Sequence, residues 1–389
     1  MNKVCVITGS RAEYGLLKPL ITKINNDKYM KLQLVVTGMH VSPEFGLTYK
    51  EIEQDGFQIT EQNEMLLSSD TPNGITKSVG LGMIGFADIF TRIMPDIVVI
   101  LGDRYEIFAA ATAAMIHRIP IAHIHGGELT EGAIDDAIRH SLTKMSTLHF
   151  TSTEVYRKRV VQLGEQPEYV FNVGALGVEN IKIQKLLEKQ ELSESIGFSL
   201  DNPYVLVTFH SVTLENNTAE SQFQNLLEAV DVFKEYHIIF TKANADTDGR
   251  IINKKIDEYV RKNKDRAIAA TSLGMVRYLS TLKYCEMIIG NSSSGIIEAP
   301  SFKVPTVNIG ERQTGRVKAV SVIDCGNEMS DIVEAINKAK ILKKKDELKD
   351  IKSPYEKENT AFNIYNIISE YIRTEKKLKK RFYDIAIKR

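Results

Sequence analysis

Short runs of β-branched and aliphatic residues recur along the chain, each followed by a longer segment of helical periodicity. That alternation limits the fold more than any other feature. Residues 3–8 (KVCVIT), 32–37 (LQLVVT), 96–101 (DIVVIL) and 120–124 (PIAHI) read as strands, and 13–25, 75–93 and 105–117 as helices. Strands buried on both faces of a parallel sheet are short, rich in Val and Ile, and not alternating. The β-α-β order therefore predicts an α/β, doubly wound sheet. A second series starts near residue 204, with strands at 204–209, 237–241, 267–270, 287–290 and 306–309. Its helices fall near 219–234, 250–263, 275–282 and from about 295. It repeats the first architecture without repeating its sequence. Two Rossmann-like domains with an interdomain cleft are expected, 1–175 and 176–357, the first completed by a C-terminal helix at about 358–389.

Composition agrees and narrows the function. A length of 389 residues suits two domains of roughly 150 residues each. Fifty basic and fifty acidic residues leave no net charge, which excludes a generic nucleic-acid binder. Hydrophobic residues at 43% and charged ones at 26% exclude a disordered chain. No apolar run approaches the roughly 18 residues of a membrane helix. Cys5, Cys285 and Cys325 are scattered and odd in number, so neither a disulfide framework nor a CxxC pair is expected. A reducing compartment fits. The N-terminus MNKVCVITGSRAEYG reads as a first strand, not a signal peptide, and a cytoplasmic protein is expected. The Lys-rich stretch 342–350 reads as a solvated helix face, and KKLKKRFYDIAIKR as a basic surface helix or a partly disordered end.

One motif misleads. Residues 80–85, GLGMIG, match GxGxxG, but a dinucleotide site needs the motif directly after a strand. Here it sits inside a helical pattern, and packing is the better reading. The informative stretches lie at strand ends, where open α/β sheets bind ligands. Thr8-Gly9-Ser10-Arg11 combines backbone N–H groups at a helix start with a guanidinium, a fit for phosphate, or is an ordinary turn. Gly102-Asp103-Arg104-Tyr105-Glu106 sets a carboxylate beside a guanidinium, with helix capping by Asp103 as the alternative. His123-Ile124-His125-Gly126-Gly127-Glu128, followed by Glu131, Asp135, Asp136, Arg139 and His140, is the densest group of general acids and bases. His123 and His125 should face opposite sides of a strand, so no metal is expected; His123 and Arg139 also suit structural pairing. Phe209-His210-Ser211-Val212-Thr213 places a histidine at the first strand end of the second series. Gly290-Asn291-Ser292-Ser293-Ser294-Gly295 opens a helix as a phosphate cradle, with Glu298 one turn on for a ribose diol. Two such anion sites imply a phosphate-bearing ligand such as a nucleotide sugar.

Six stretches in order, TGSRAEYG (8–15), GDRYE (102–106), HIHGGE with IDDAIRH (123–128, 134–140), the His210 segment, GNSSSGIIE (290–298) and GERQTGR (310–316), resemble the hydrolysing UDP-N-acetylglucosamine 2-epimerases. The resemblance spans about residues 3–325. It implies a GT-B fold, no cofactor, and a homodimer or homotetramer. It also implies conversion of UDP-GlcNAc and water to N-acetylmannosamine and UDP, by anti-elimination of UDP and syn hydration of a 2-acetamidoglucal. Asp103, Glu128 and one of Asp135 and Asp136 then match the carboxylates beside the sugar. His210 matches the family's cleft histidine, Ser292 and Ser293 its phosphate ligands, and Glu298 its ribose ligand. Arg312, Gln313 and Arg316 match GxRQxGR, near the substrate or in domain-closing salt bridges. Gly9, Ser10, Arg11, Arg104, Ser294 and Gly295 complete the expected UDP-binding set. UDP-2,4-diacetamido-2,4,6-trideoxyglucose is the alternative substrate. A GT-B glycosyltransferase or a nucleotide-sugar sensor is the reading from other classes. His210 is followed by SVTLEN, not by the HxRREN-type stretch of the non-hydrolysing enzymes.

Overall fold

A computed structural model describes residues 1–131, 133–212, 215, 218–244, 247–345, 348–374 and 378–385. Thr213 after His210, Asp346 and Glu347 of the Lys-rich stretch, and 375–377 and 386–389 of the tail lie outside the described residues. The chain separates into two compact units, one of Met1–Glu128, Asp135–Asn180 and Lys357–Arg389, the other of Leu129–Ile134 and Ile181–Glu356.

The first unit runs β1 (Asn2–Thr8), α1 (Arg11–Asn25), β2 (Met30–Thr37), α2 (Tyr49–Gln54), β3 (Ile59–Asn63), α3 (Pro72–Ile93), β4 (Ile97–Leu101) and α4 (Tyr105–Ile116). It continues through β5 (Ile121–Ile124), α5 (Asp135–Met145), β6 (Leu148–Thr151), α6 (Glu154–Gln162), β7 (Val170–Asn172) and α7 (Leu176–Ile183). Its parallel sheet has the order β3-β2-β1-β4-β5-β6-β7. Alternate strand residues feed two cores. Val4, Val6, Val36, Val99 and Ile124 meet Leu17, Leu20 and Ile24 of α1 on one face. Cys5, Ile7, Val98 and Ile100 meet Phe86 and Phe90 of α3 and the alanines of α4 on the other. This double burial is why the strands carry no polar alternation.

The second unit holds α8 (Lys189–Ile196), β8 (Tyr204–Thr208), α9 (Ala219–Val232), β9 (His237–Thr241), α10 (Gly249–Lys262), β10 (Ala267–Ala270) and α11 (Gly274–Tyr284). It ends with β11 (Ile288–Gly290), α12 (Ser294–Ile297), β12 (Thr306–Ile309), β13 (Val322–Cys325) and α13 (Met329–Lys344). Its parallel sheet has the order β10-β9-β8-β11-β12-β13. The chain then returns to the first unit as α14 (Thr360–Arg373), whose Ile364, Ile368 and Ile372 join the α1 core. Residues 378–385 are not the surface helix foreseen for the tail. They lie extended on the first unit, where the Tyr383 N–H donates to the Gly164 carbonyl at 2.9 Å.

GLGMIG lies within α3 and follows no strand directly in the chain. Gly82 and Gly85 let β3 come close. The Asn63 amide donates to the Gly82 carbonyl at 3.0 Å, and a Cβ on Gly85 would stand 2.0 Å from Asn63 Oδ1.

Candidate active site

In each sheet the strand order reverses once, at β1/β4 in the first unit and at β8/β11 in the second. The crevice beyond the strand carboxyl ends at such a point is where open α/β sheets place ligands. Gly9-Ser10-Arg11 follows β1 and Gly102-Asp103-Arg104 follows β4. Ser10 caps α1, its hydroxyl accepting from the Glu13 N–H at 3.4 Å, while Glu13 Oε2 accepts from the Gly9 N–H at 2.7 Å. Buried His40 braces the same turn through Thr8 Oγ1 at 3.1 Å and Thr48 Oγ1 at 2.8 Å, and burial pushes its pKa down to about 4. Arg11 pairs with Glu51 of α2 at 2.5 Å.

The capping alternative for Asp103 does not hold. The residue in the cap position of α4 is Arg104, at φ −71° and ψ 152°, and no side chain closes that cap. Asp103 instead forms an ion pair with buried Arg139 of α5. Arg104 turns to Glu106, its Nη2 3.0 Å and its Nε 3.3 Å from Oε1.

Glu128 is buried after β5, where it accepts from Ser152 Oγ at 2.8 Å; Ser152 directly follows β6. His125 Nδ1 stands 3.7 Å from the same Glu128 oxygen. The expectation that His123 and His125 alternate on one strand is corrected. β5 ends at Ile124, and His125 takes a left-handed φ of 67° that aims it at Glu128. Gly127 must be glycine: its φ is 77° and a Cβ would lie 2.6 Å from the Tyr156 carbonyl. His123 Nε2 donates to the Gly102 carbonyl at 2.8 Å, since a carbonyl only accepts. Burial pushes that ring's pKa down to about 3, so His123 stays neutral and supports the Asp103 turn through its one N–H. Asp135 and Asp136 open α5, where negative charge suits the helix dipole, and Asp136 lies 3.5 Å from His140. The same helix carries Arg139 to Asp103.

In the second unit, His210 follows β8 and the Gly/Ser loop follows β11. Gly290 at φ 138° lets the strands close; a Cβ there would fall 1.9 Å from the Thr208 carbonyl. Buried Asn291 clamps His210 by its backbone, Oδ1 accepting from the His210 N–H at 2.7 Å and Nδ2 donating to its carbonyl at 2.8 Å. The helix expected after this loop is corrected to one turn. α12 stops at Ile297 because Pro300 lacks an N–H and its ring clashes with the preceding turn, and a 3₁₀ turn, Ala299–Phe302, follows. Ser292 Oγ accepts from the Ser294 N–H at 3.4 Å, Ser293 occupies the cap position, and Thr306 Oγ1 holds the Gly295 carbonyl at 2.6 Å. Glu298 is buried at the end of α12, not in its first turn.

The GERQTGR residues divide. Gln313 Nε2 and Arg312 Nη1 donate to the Asn291 carbonyl at 2.8 and 3.2 Å, so both support the loop that clamps His210. Arg316 Nε donates to the Leu129 carbonyl at 2.9 Å, within the second unit. The first unit thus gathers Gly9, Ser10, Arg11, Asp103, Arg104 and Glu128 at neighbouring strand ends. The second gathers His210, Ser292, Ser293, Ser294 and Gly295. Structural pairing of Arg139 was expected, but its partner Asp103, the role of Ser152 and the clamping role of Asn291 were not foreseen, because the residues that meet are distant in sequence. Among the described residues no group of three or more His, Cys, Asp or Glu side chains is arranged to hold a metal.

Comparison with known proteins decides the family. The family model described as UDP-N-acetylglucosamine 2-epimerase matches residues 22–369. The chain belongs to that family. It is 45% identical over 337 residues to the Campylobacter jejuni GDP/UDP-N,N'-diacetylbacillosamine 2-epimerase (hydrolyzing), covering 87% of each chain. It is 44% identical over 386 residues to the Escherichia coli polysialic acid biosynthesis protein P7, covering 99% of this chain and 98% of that one. Its fold matches that of the Methanocaldococcus jannaschii UDP-GlcNAc 2-epimerase, solved with UDP-GlcNAc and UDP, at a TM-score of 0.78 and 21% identity, covering 95% of this chain and 99% of that one. The two parallel α/β sheets are those of the GT-B-like epimerases.

Proposed function

We infer that this protein is a hydrolysing UDP-N-acetylglucosamine 2-epimerase, turning UDP-GlcNAc and water into N-acetylmannosamine and UDP for sialic-acid-type sugar synthesis. The observation that carries the reading is the Glu128 carboxylate, buried, bonded to Ser152 and near His125, in the segment after β5, the strand that pairs with β4 ahead of Asp103, in a chain of this family. The end-to-end similarity to the polysialic acid biosynthesis protein supports the pathway.

The sugar's carbon-2 hydrogen is not acidified by a carbonyl, so its removal must be concerted with loss of UDP. A carboxylate takes that proton, the electron pair becomes the C1–C2 double bond, and the C1–O bond breaks with its pair leaving on UDP. Water then adds across the glucal on one face, its oxygen to carbon 1 and a proton to carbon 2. Carboxylates serve both proton steps and stabilise positive charge developing on the ring. In this reading Asp103, Glu128 and Asp135 or Asp136 attend the sugar. Arg11, Arg104, His210 and the 292–295 loop hold the diphosphate, Glu298 the ribose, and Arg312, Gln313 and Arg316 act behind them. Three free cysteines support a reducing, cytoplasmic setting, and light scattering would test the homodimer or homotetramer that belongs to this reading.

Proton NMR of the protein with UDP-GlcNAc in heavy water is the test. Release of UDP with N-acetylmannosamine deuterated at carbon 2 is expected. Unchanged substrate would overturn the assignment. The C. jejuni relative favours a second reading, the same reaction on UDP-2,4-diacetamido-2,4,6-trideoxyglucose, which the same spectra with that substrate would reveal.

A further inference from the structure

Beneath the β1/β4 crevice lies a charged cluster that the reaction as described does not use. Glu106, in the first turn of α4, is fully buried. Its Oε1 receives both Nε and Nη2 of Arg104, and its Oε2, also buried, meets no hydrogen-bond donor among the described residues. Glu13 is buried beside it. A Cβ on Gly9 would be 3.5 Å from both Glu106 Cβ and Glu13 Oε2, so the two acids flank the phosphate-binding turn itself. Gly38, after β2, approaches from the other side, where a Cβ would stand 2.8 Å from Glu106 Oε1. A carboxylate sealed in this way is costly unless its charge is answered, and the ion pair that answers it is Arg104.

We propose that Glu106 is a positioning residue for binding of the substrate diphosphate, its buried carboxylate setting where the Arg104 guanidinium points, with buried Glu13 beside it. The inference rests on the UDP-sugar reading above. An arginine held on a fixed carboxylate keeps its planar guanidinium in one orientation, which is what recognition of phosphate by that group requires.

The charge balance supports this. Burial pushes the Glu13 carboxyl up to about 8; Arg104 and the Gly9 N–H pull it down, while Glu106 and Asp103 push it further up. Around neutrality Glu13 therefore keeps its proton and adds no charge of its own beside the Arg104–Glu106 pair. Above that range Glu13 ionises, competes for the guanidinium and repels the diphosphate. The other charged groups nearby do not produce the same change. Asp103 is paired with Arg139 and Arg11 with Glu51, and His40 is neutral well below this range.

The experiment is calorimetric titration of UDP into wild type, Glu106→Gln, Glu106→Asp and Glu13→Gln, from neutral to alkaline pH. Glu106→Gln is expected to weaken UDP at least about tenfold at neutral pH, with part regained by Glu106→Asp. Wild type should lose about tenfold in affinity as pH rises through Glu13's titration, and Glu13→Gln should stay level. A folded Glu106→Gln that binds UDP as wild type does would overturn the proposal. So would a Glu13→Gln variant with the wild-type alkaline loss, and that comparison decides alone should Glu106→Gln not fold. A wild type that binds no UDP would instead overturn the functional reading on which the proposal depends.

Discussion

Glu128 and Asp103 differ in how their charge is held, and the difference shapes what their removal should do. Glu128 answers to a hydroxyl and a nearby imidazole, whereas Asp103 neutralises the buried guanidinium of Arg139. Both Glu128→Gln and Asp103→Asn should lower turnover by at least about 10²-fold, as for a lost general acid or base, with UDP binding kept. Only Asp103→Asn should also melt earlier, by roughly 1–3 kcal/mol, because Arg139 is left buried without its counter-charge. UDP-release kinetics and thermal melts check the two halves, and near-normal turnover in both variants would remove these residues from the chemistry. A third acid gives the fold its pH dependence. Burial pushes the Glu165 carboxyl up, but His149, Lys144 and Lys380 outweigh it and hold it at about 2. The unfolded chain would bind that proton near the ordinary value of 4.5. Stability from this group is therefore complete above that value and lost as pH falls toward about 2, roughly 1–2 kcal/mol after solvent screening. Burial also holds His149 below its usual value, which adds a loss in the same direction starting nearer neutrality. Melting temperature should fall more steeply with acid in wild type than in Glu165→Gln; equal slopes would contradict this.

Helices in this protein carry interruptions that other elements repair or exploit. Pro19 sits inside α1 and has no N–H to give the Gly15 carbonyl one turn earlier. The side-chain amide of buried Asn180, from α7, supplies that hydrogen bond at 3.0 Å. Asn180→Ala should cost about 1–3 kcal/mol in chemical denaturation, the price of an unsatisfied buried carbonyl. A Pro19→Ala background, which restores the helical N–H, should recover part of it; no recovery would show that Asn180 acts by packing alone. In α3 two glycines of a familiar nucleotide motif serve close packing instead, Gly85 against Asn63 of β3 and Gly82 against Met65 and Ala109. In α12, Pro300 cuts short a helix that the Gly/Ser loop alone would lead one to extend.

At the scale of the whole molecule, the first unit is not contiguous in sequence. Its sheet comes from residues 2–172, but one of its faces is completed by α14, some two hundred residues later. Ala361, Ile364, Ile368, Tyr371 and Ile372 bury their side chains there. At about 1.5–3 kcal/mol for each of the four large apolar side chains, their loss is comparable to the whole stability of an ordinary domain. A chain ending at residue 356 should therefore fail to yield a folded first unit, read as loss of cooperative melting. A truncation after residue 374 removes the described residues 378–385 and their contacts near Gly164 and Glu165, and should remain folded with a lower melting temperature.

Period and punctuation decided much of this in the sequence alone. Short Val/Ile-rich runs bounded by turn residues read as strands covered on both faces, by their length and β-branching, and Gly/Ser/Asp/Arg turns at their ends mark where a ligand meets free backbone groups. The short strands β3, β6, β7 and β13 escaped because their apolar runs are brief or mixed with polar residues such as Glu61, His149 and Asp324. What the tertiary structure decided is which charged group answers which. Asp103 and Arg139 are 36 residues apart, Ser152 and Glu128 24, and His210 and Asn291 81. The last two pairs join the ends of neighbouring parallel strands, β5 with β6 and β8 with β11, and the first joins the end of β4 to helix α5. No local pattern encodes such pairings, since they depend on strand order, and strand order is a property of the packed sheet.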